Sequence, residues 1–212
     1  MSSRSTGRSH YLWLLFWPLY WLRYVLIEQL NPAAAYTPIH CPFDDLIPFC
    51  EWFLVPYILW MPFMVLLALY CLRTDRDSFI RYSKFLAIAM TISGVIFLLF
   101  PTCQELRPAV YPRDNLMTDL VRLLHRIDTN TNVLPSEHAV GAIAVVIAAS
   151  SHPKLRRPRS LIPICMAMGL VCLSTVFLKQ HSVLDLLAAV PVCAVAWWLS
   201  YRPKITRKRE KS

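Results

Sequence analysis

Two short polar clusters interrupt the apolar C-terminal half of the chain. They are Leu134-Pro135-Ser136-Glu137-His138 and Lys179-Gln180-His181-Ser182-Val183-Leu184-Asp185, and each opens a hydrophobic stretch. His181 and Asp185 are four residues apart, which on a helix sets both side chains on one face, close enough for the carboxylate to hold the imidazole in one tautomer. Ionisable groups at the mouth of an apolar segment are costly and mark a site by default. Two histidines, one backed by an acid, are the minimum equipment for phosphoryl transfer through a phospho-histidine. In that chemistry His181 is the nucleophile and His138 the general acid toward the leaving oxygen. Ser136 follows Pro135 and precedes an apolar run, so it reads as an N-cap. A helix start also offers N–H groups and a positive dipole end to a phosphate. Ser174, about two turns before His181, is placed to reach the same phosphate. The transferring group needs cations as well. Arg107, ahead of Pro108, offers a bidentate fork, and Lys179 is the next candidate. Taken singly, each feature has an ordinary counterpart: a capped helix, a structural His–Asp pair, a small residue at a helix contact, a snorkelling cation.

The elements that must position these residues are membrane spans. Of the 212 residues, 56% are hydrophobic and only 17% charged, with mean hydropathy +0.44, and the apolar residues fall in blocks rather than stripes. Six blocks approach the length a bilayer core demands: 11–30, 49–72, 85–103, 138–151, 161–178 and 183–201. The fourth is the shortest and extends at most through Ser136 or His152. The first holds Arg23, runs long and lacks a small-residue cleavage site, so it does not read as a signal peptide. The expectation is an all-α, polytopic membrane protein: a six-transmembrane-helix bundle over residues 11–201, with a basic N-terminus (1–10) and a basic tail (202–212).

The net charge of +9 is distributed as topology rather than as a nucleic-acid surface. Under six spans, one side of the membrane receives Arg4 and Arg8; Arg73, Arg76, Arg81 and Lys84; Lys154, Arg156, Arg157 and Arg159; and the six basic residues from Arg202 to Lys211. That is sixteen of the 22 basic residues, so this side is cytoplasmic and both termini lie inside. The tail then acts as a topology anchor favouring anionic lipid. Both histidine clusters and Arg107 fall on the outer side. Two outer loops are long enough to hold structure, 31–48 with Asp44-Asp45 and 104–135. Within the second, Leu116, Leu120, Leu123 and Leu124, with Val121, recur at helical spacing over 114–126, predicting an amphipathic helix along the membrane surface. The run from Asp128 to Asn132 reads as a turn. Seven cysteines show no metal pattern. Cys41 and Cys50 share the outer side and are near enough in sequence to pair, but lone thiols are the expectation.

These residues carry a resemblance. Arg107-Pro108, then Pro135-Ser136-Glu137-His138, then Ser174-Thr175 with His181 and Asp185 behind it, resemble in order and spacing the three motifs of the type 2 phosphatidic-acid phosphatase superfamily, over 107–185. The resemblance implies a six-helix bundle whose site opens outward and which needs no metal or other cofactor. His181 would be nucleophile, Asp185 its orienting partner and His138 the acid, with phosphate held by Arg107, Ser136 and Ser174. The departures are Phe100, where the motif has a lysine, Thr175, where it has an arginine, and Glu137, where a small or apolar residue is usual. Lys179 is the candidate replacement for one missing cation. The Gln180-His181 step is similar to the inositol-phosphorylceramide and sphingomyelin synthase branches, which pass a phospho-headgroup to an alcohol; the region from Asp44-Asp45 to Trp60 resembles that branch weakly. The expected function is hydrolysis of a lipid phosphate or pyrophosphate in a plasma membrane of bacterial type. Headgroup transfer is the first alternative and non-catalytic lipid binding or transport the second. The expected partners are the lipid phosphate and membrane lipids, with no nucleic acid. Neither the headgroup nor the oligomeric state is legible.

Overall fold

The computed structural model describes residues 8–30 and 35–202. Residues 1–7 and 203–212, where most of both basic tails lies, and 31–34 of the first outer loop are outside the described residues. The described chain is all-helical apart from two very short strands. A 3₁₀ segment, Arg8–Leu15, runs into α1 (Phe16–Leu30). The loop that follows carries strand β1 (Thr37–Pro38), the short helix α2 (Pro42–Leu46) and a 3₁₀ turn, Glu51–Phe53, that leads into α3 (Leu54–Thr74). A single extended residue, Asp75, joins α3 to α4 (Arg76–Leu99), and strand β2 (Thr102–Cys103) follows. The surface helix α5 (Leu116–Ile127) precedes α6 (Glu137–Ser151), α7 (Pro158–Phe177) and α8 (Val183–Tyr201).

Among the described residues, four helices are long and apolar enough to cross a membrane: Glu51–Thr74, Arg76–Leu99, Pro158–Phe177 and Val183–Tyr201. The third expected span, 85–103, is corrected to Arg76–Leu99. A hydropathy reading stops at the charges of Arg76, Asp77, Arg81 and Lys84, yet Phe79, Tyr82 and Phe85 between them are fully buried. Helical periodicity therefore starts at Asp75, whose carbonyl accepts from the Phe79 N–H at 3.0 Å. At the other end Phe100 leaves helical geometry so that Thr102 and Cys103 can pair in parallel with Thr37 and Pro38.

Helix α6 sits at the centre, against α3, α4, α7 and α8. It is short, and its sequence is small: Ala139, Gly141, Ala142, Ala144, Ala148 and Ala149 are all buried, which lets four neighbours approach its backbone closely. At its far end the buried His152 closes the helix, bonding the Thr74 hydroxyl at 3.0 Å and accepting from the Lys154 N–H at 3.2 Å.

The end of the bundle that carries both histidine clusters is a layer of loops pinned to one another. Besides the β1–β2 pair, Asn132 donates to the Thr102 carbonyl at 2.6 Å and Gln104 to that of Asn130 at 3.0 Å. The predicted surface helix forms, capped by Asn115, whose side chain accepts from the Thr118 N–H. Its apolar residues divide between two faces. Val121 is buried with Leu54, Tyr57 and Leu178, whereas Leu116, Leu120, Leu123 and Ile127 point outward. Cys41 and Cys50 are free thiols.

Candidate active site

The geometry starts in the turn between α7 and α8. Lys179 adopts a left-handed conformation (φ 58°), and the chain doubles back so that the N–H groups of Gln180 and His181 both donate to the Thr175 carbonyl, at 2.9 and 3.1 Å. Ser182 then caps α8, its hydroxyl oxygen accepting from the Leu184 N–H. One oxygen of Asp185, Oδ2, accepts from the Ser182 N–H at 2.9 Å and faces His181 Nδ1 at 3.1 Å. With Nδ1–H donated to the buried carboxylate, the lone pair of His181 resides on Nε2, the arrangement a nucleophile needs.

A residue from the loop between α1 and α3 holds this turn in place. Asp44 accepts from the Ser182 hydroxyl at 2.6 Å and from the Val183 and Cys41 N–H groups at 2.8 Å each. Burial pushes the Asp44 pKa up, but these hydrogen bonds outweigh it and leave the carboxyl below its ordinary range.

His138 approaches from α6. Ser136 is fully buried, with its hydroxyl accepting from the Ala139 N–H at 3.4 Å and its own N–H donating to the Asp185 carbonyl at 3.0 Å. The His138 ring lies between Tyr57 and Trp60, with centroids 4.4 and 4.3 Å away, and meets the His181 ring at 5.5 Å, nearly edge-on. Gly141 makes room for this stack. A Cβ there would stand 2.3 Å from Trp60 Nε1 and from Met64 Sδ.

Both histidines open onto a cavity of about 370 Å³, whose wall also includes Tyr57, Asp128, Gln180, Glu137 and Arg23. Asp128 gathers the Tyr57 hydroxyl and the Gln180 amide, the latter at 3.1 Å. Arg23 reaches in from α1 and grips both oxygens of Glu137, at 2.6 and 2.8 Å. Beside the cavity, a larger apolar groove of about 910 Å³ runs between α1 and α4.

The structure thus brings His138, His181 and Asp185 together. It places the expected phosphate ligands differently. Arg107 does not line the cavity; its guanidinium donates to the carbonyls of His125 and Asp128, both at 2.7 Å, and to Gln180 Oε1 at 2.6 Å, so it braces α5 against the residue preceding His181. Burial lowers its pKa, with Asp128 pulling the other way. Lys179 is likewise turned away, donating to the Asp44 carbonyl at 2.7 Å. Ser174 is fully buried and donates to the Val171 carbonyl, as Thr175 does to that of Cys172. Ser136 is committed to its cap. Arg23, Tyr57, Trp60, Asp128 and Asp44 were not singled out by spacing, although an arginine inside an apolar block and an acid beside a candidate histidine are signals of the kind that could have found the Arg23–Glu137 pair.

A family model described as the PAP2 superfamily matches residues 81–209. This chain belongs to the PAP2 superfamily. PAP2 members are phosphatase-type enzymes, phosphoesterases or phosphotransferases, and the apolar helices here fit an integral membrane member. The matched segment contains both histidines and Asp185, and leaves α1 and α3 outside it. No curated protein and no solved structure gave a significant match.

Proposed function

We propose that this PAP2 protein hydrolyses a lipid phosphate or pyrophosphate monoester through a phospho-His181 intermediate. The observation that carries the reading is the buried Asp185–His181 contact at 3.1 Å with the His138 ring 5.5 Å from it on one cavity. In the first step His181 Nε2 forms a bond to phosphorus, the bond to the leaving oxygen breaks, and protonated His138 gives that oxygen its proton. In the second step water attacks the phospho-histidine, His138 takes its proton back, and phosphate leaves as His181 is regenerated. No metal enters either step. Arg107 and Lys179 support the site by bracing the turn, and Ser136 by setting the helix start, so their expected phosphate contacts would require rearrangement on binding.

In this reading α1 and α6 complete a six-helix bundle with the four longer spans. The charge distribution supports termini inside and a cavity toward the outer face, and the compact chain with short loops supports a plasma membrane of bacterial type over the endoplasmic reticulum. A second reading, transfer of a phospho-headgroup to a lipid alcohol, is favoured by the apolar groove that adjoins the same cavity and would admit a lipid acceptor. The test is a phosphate-release screen of purified protein on phosphatidate, phosphatidylglycerol phosphate, isoprenyl pyrophosphate and sphingoid phosphates, with labelled phospholipid plus diacylglycerol or ceramide alongside. Free phosphate that disappears in His181→Ala supports hydrolysis, a new labelled lipid supports transfer, and equal turnover by wild type and His181→Ala would sink both.

A further inference from the structure

Among the described residues lining the cavity, Arg23 is the one lysine or arginine, and it lies on α1, outside the segment matched by the family model. Its seat is built. Nη1 donates to the Met90 carbonyl at 2.8 Å, Nη2 to Glu137, and the guanidinium carbon sits 5.1 Å from the centroid of the Tyr20 ring. Gly94 on α4 leaves the space: a Cβ there would stand 2.8 Å from Nη1 and 3.2 Å from Cδ. The pair is mostly buried, with the Arg23 side chain 21% and that of Glu137 11% exposed. An ion pair at such depth is a poor source of stability compared with apolar packing, so its expense points to use.

The groove between α1 and α4 supplies the second observation. Its walls, among them Leu19, Leu22, Leu26, Val95 and Leu98, are apolar, and it shares Tyr20, Arg23 and Ile27 with the histidine cavity. Arg23 therefore stands where a hydrocarbon-lined path meets a chamber holding two histidines.

We propose that α1 completes the substrate site: Arg23 takes the phosphate of a lipid phosphate, and the groove beside it takes one hydrocarbon chain of the same lipid. This rests on the reading of the cavity as a lipid-phosphate site and names the residues that select the lipid. Glu137 holds the guanidinium in the empty site. When phosphate arrives, Nη2 exchanges the two carboxylate oxygens for phosphate oxygens while Nη1 stays on the Met90 carbonyl and Glu137 keeps the Tyr20 hydroxyl at 3.0 Å. Arg23 thereby supplies a cation that Phe100 and Thr175 do not.

The experiment uses the full chain in nanodiscs of zwitterionic lipid, with long-chain phosphatidate as probe. Arg23→Gln raises KM roughly ten- to a hundredfold, as expected for loss of a charge-assisted hydrogen bond. Arg23→Lys recovers part of this, and Glu137→Gln, which frees the guanidinium, lowers KM. Val95→Trp, which fills the groove, raises KM. Equilibrium binding of phosphatidate to His181→Ala, with and without Arg23→Gln, reads the same contact without turnover. Unchanged KM and unchanged binding in Arg23→Gln overturn the proposal while hydrolysis stands. So does a wild-type KM in the double variant Arg23→Gln/Glu137→Gln, which would show that Arg23 serves only to neutralise Glu137. Conversely, binding that depends on Arg23 in a protein releasing no phosphate keeps this inference and removes the hydrolytic one.

Discussion

The Ser136 N–H donates to the Asp185 carbonyl at 3.0 Å, joining the cap of α6 to the first turn of α8. A main-chain bond between the two motifs fixes their spacing independently of the His138 and His181 side chains. Asp185 therefore acts twice, through its carbonyl on α6 and through its carboxylate on His181 and Ser182.

Asp185→Asn separates these roles. The carbonyl and an amide oxygen for the Ser182 N–H survive, but the charge that fixes and stabilises the imidazole is lost. Phosphate release should fall roughly 10²- to 10⁴-fold, as for other buttressed histidines, with little change in thermal unfolding. His181→Ala should lose turnover and also the acid-labile phosphoprotein seen after rapid quenching.

Asp44 accepts from Ser182 and Val183 at the start of α8 and from the Cys41 N–H in its own loop. Asp44→Ala leaves them without it and should cost about 1–3 kcal/mol, measurable as a lower unfolding midpoint in detergent. Activity should fall with it because His181 loses its fixed position. Asp45, which faces His40 at 3.0 Å in an exposed pair, should tolerate the same change.

Gly141→Ala tests the aromatic wall. The added methyl falls on Trp60 Nε1 and Met64 Sδ, so Trp60 must move off His138. Overpacking of this kind costs about 1–3 kcal/mol, and kcat should drop more than KM rises, because the displaced group contacts the acid rather than the lipid.

His125 gives a pH dependence. It is held neutral, with the Tyr111 hydroxyl donating to Nδ1 at 2.8 Å and Nε2–H donating to the Leu178 carbonyl at 3.0 Å. Burial, and then the charge of Arg107, pull its pKa from 6.5 to about 4. The unfolded chain therefore binds the proton first as pH falls, and stability declines from pH 6.5 toward about 4 while staying flat above that window. Thermal unfolding across this range should show the slope in wild type and a shallower one in His125→Asn.

The sequence carried the chemistry better than its supports. The His181–Asp185 contact was legible from the four-residue spacing, although His181 lies in the turn before the Ser182 cap and meets Asp185 across that cap rather than along a helix face. The surface helix was legible from Leu116 to Leu124, though its period did not say that Val121 faces inward and Leu120 outward. Cations were hardest to place. Arg107 has the right motif, yet its guanidinium meets three oxygens around α5 before it can face a ligand. Arg23 had no motif, because its meaning depends on Glu137, more than a hundred residues away. The start of α4 was obscured because charges alternate there with fully buried aromatics, and a window average cannot separate the two faces of a helix.

Lys179 stands in a left-handed turn whose bonds are made by peptide groups, with Thr175 offering its carbonyl rather than its hydroxyl to Gln180 and His181. The position of His181 is therefore written in main chain. A substitution at 179 that keeps a left-handed backbone, Asn or Gly suiting it best, preserves these peptide bonds and gives up the Lys179 bond to the Asp44 carbonyl. The turn thus separates where His181 stands from which side chains surround it.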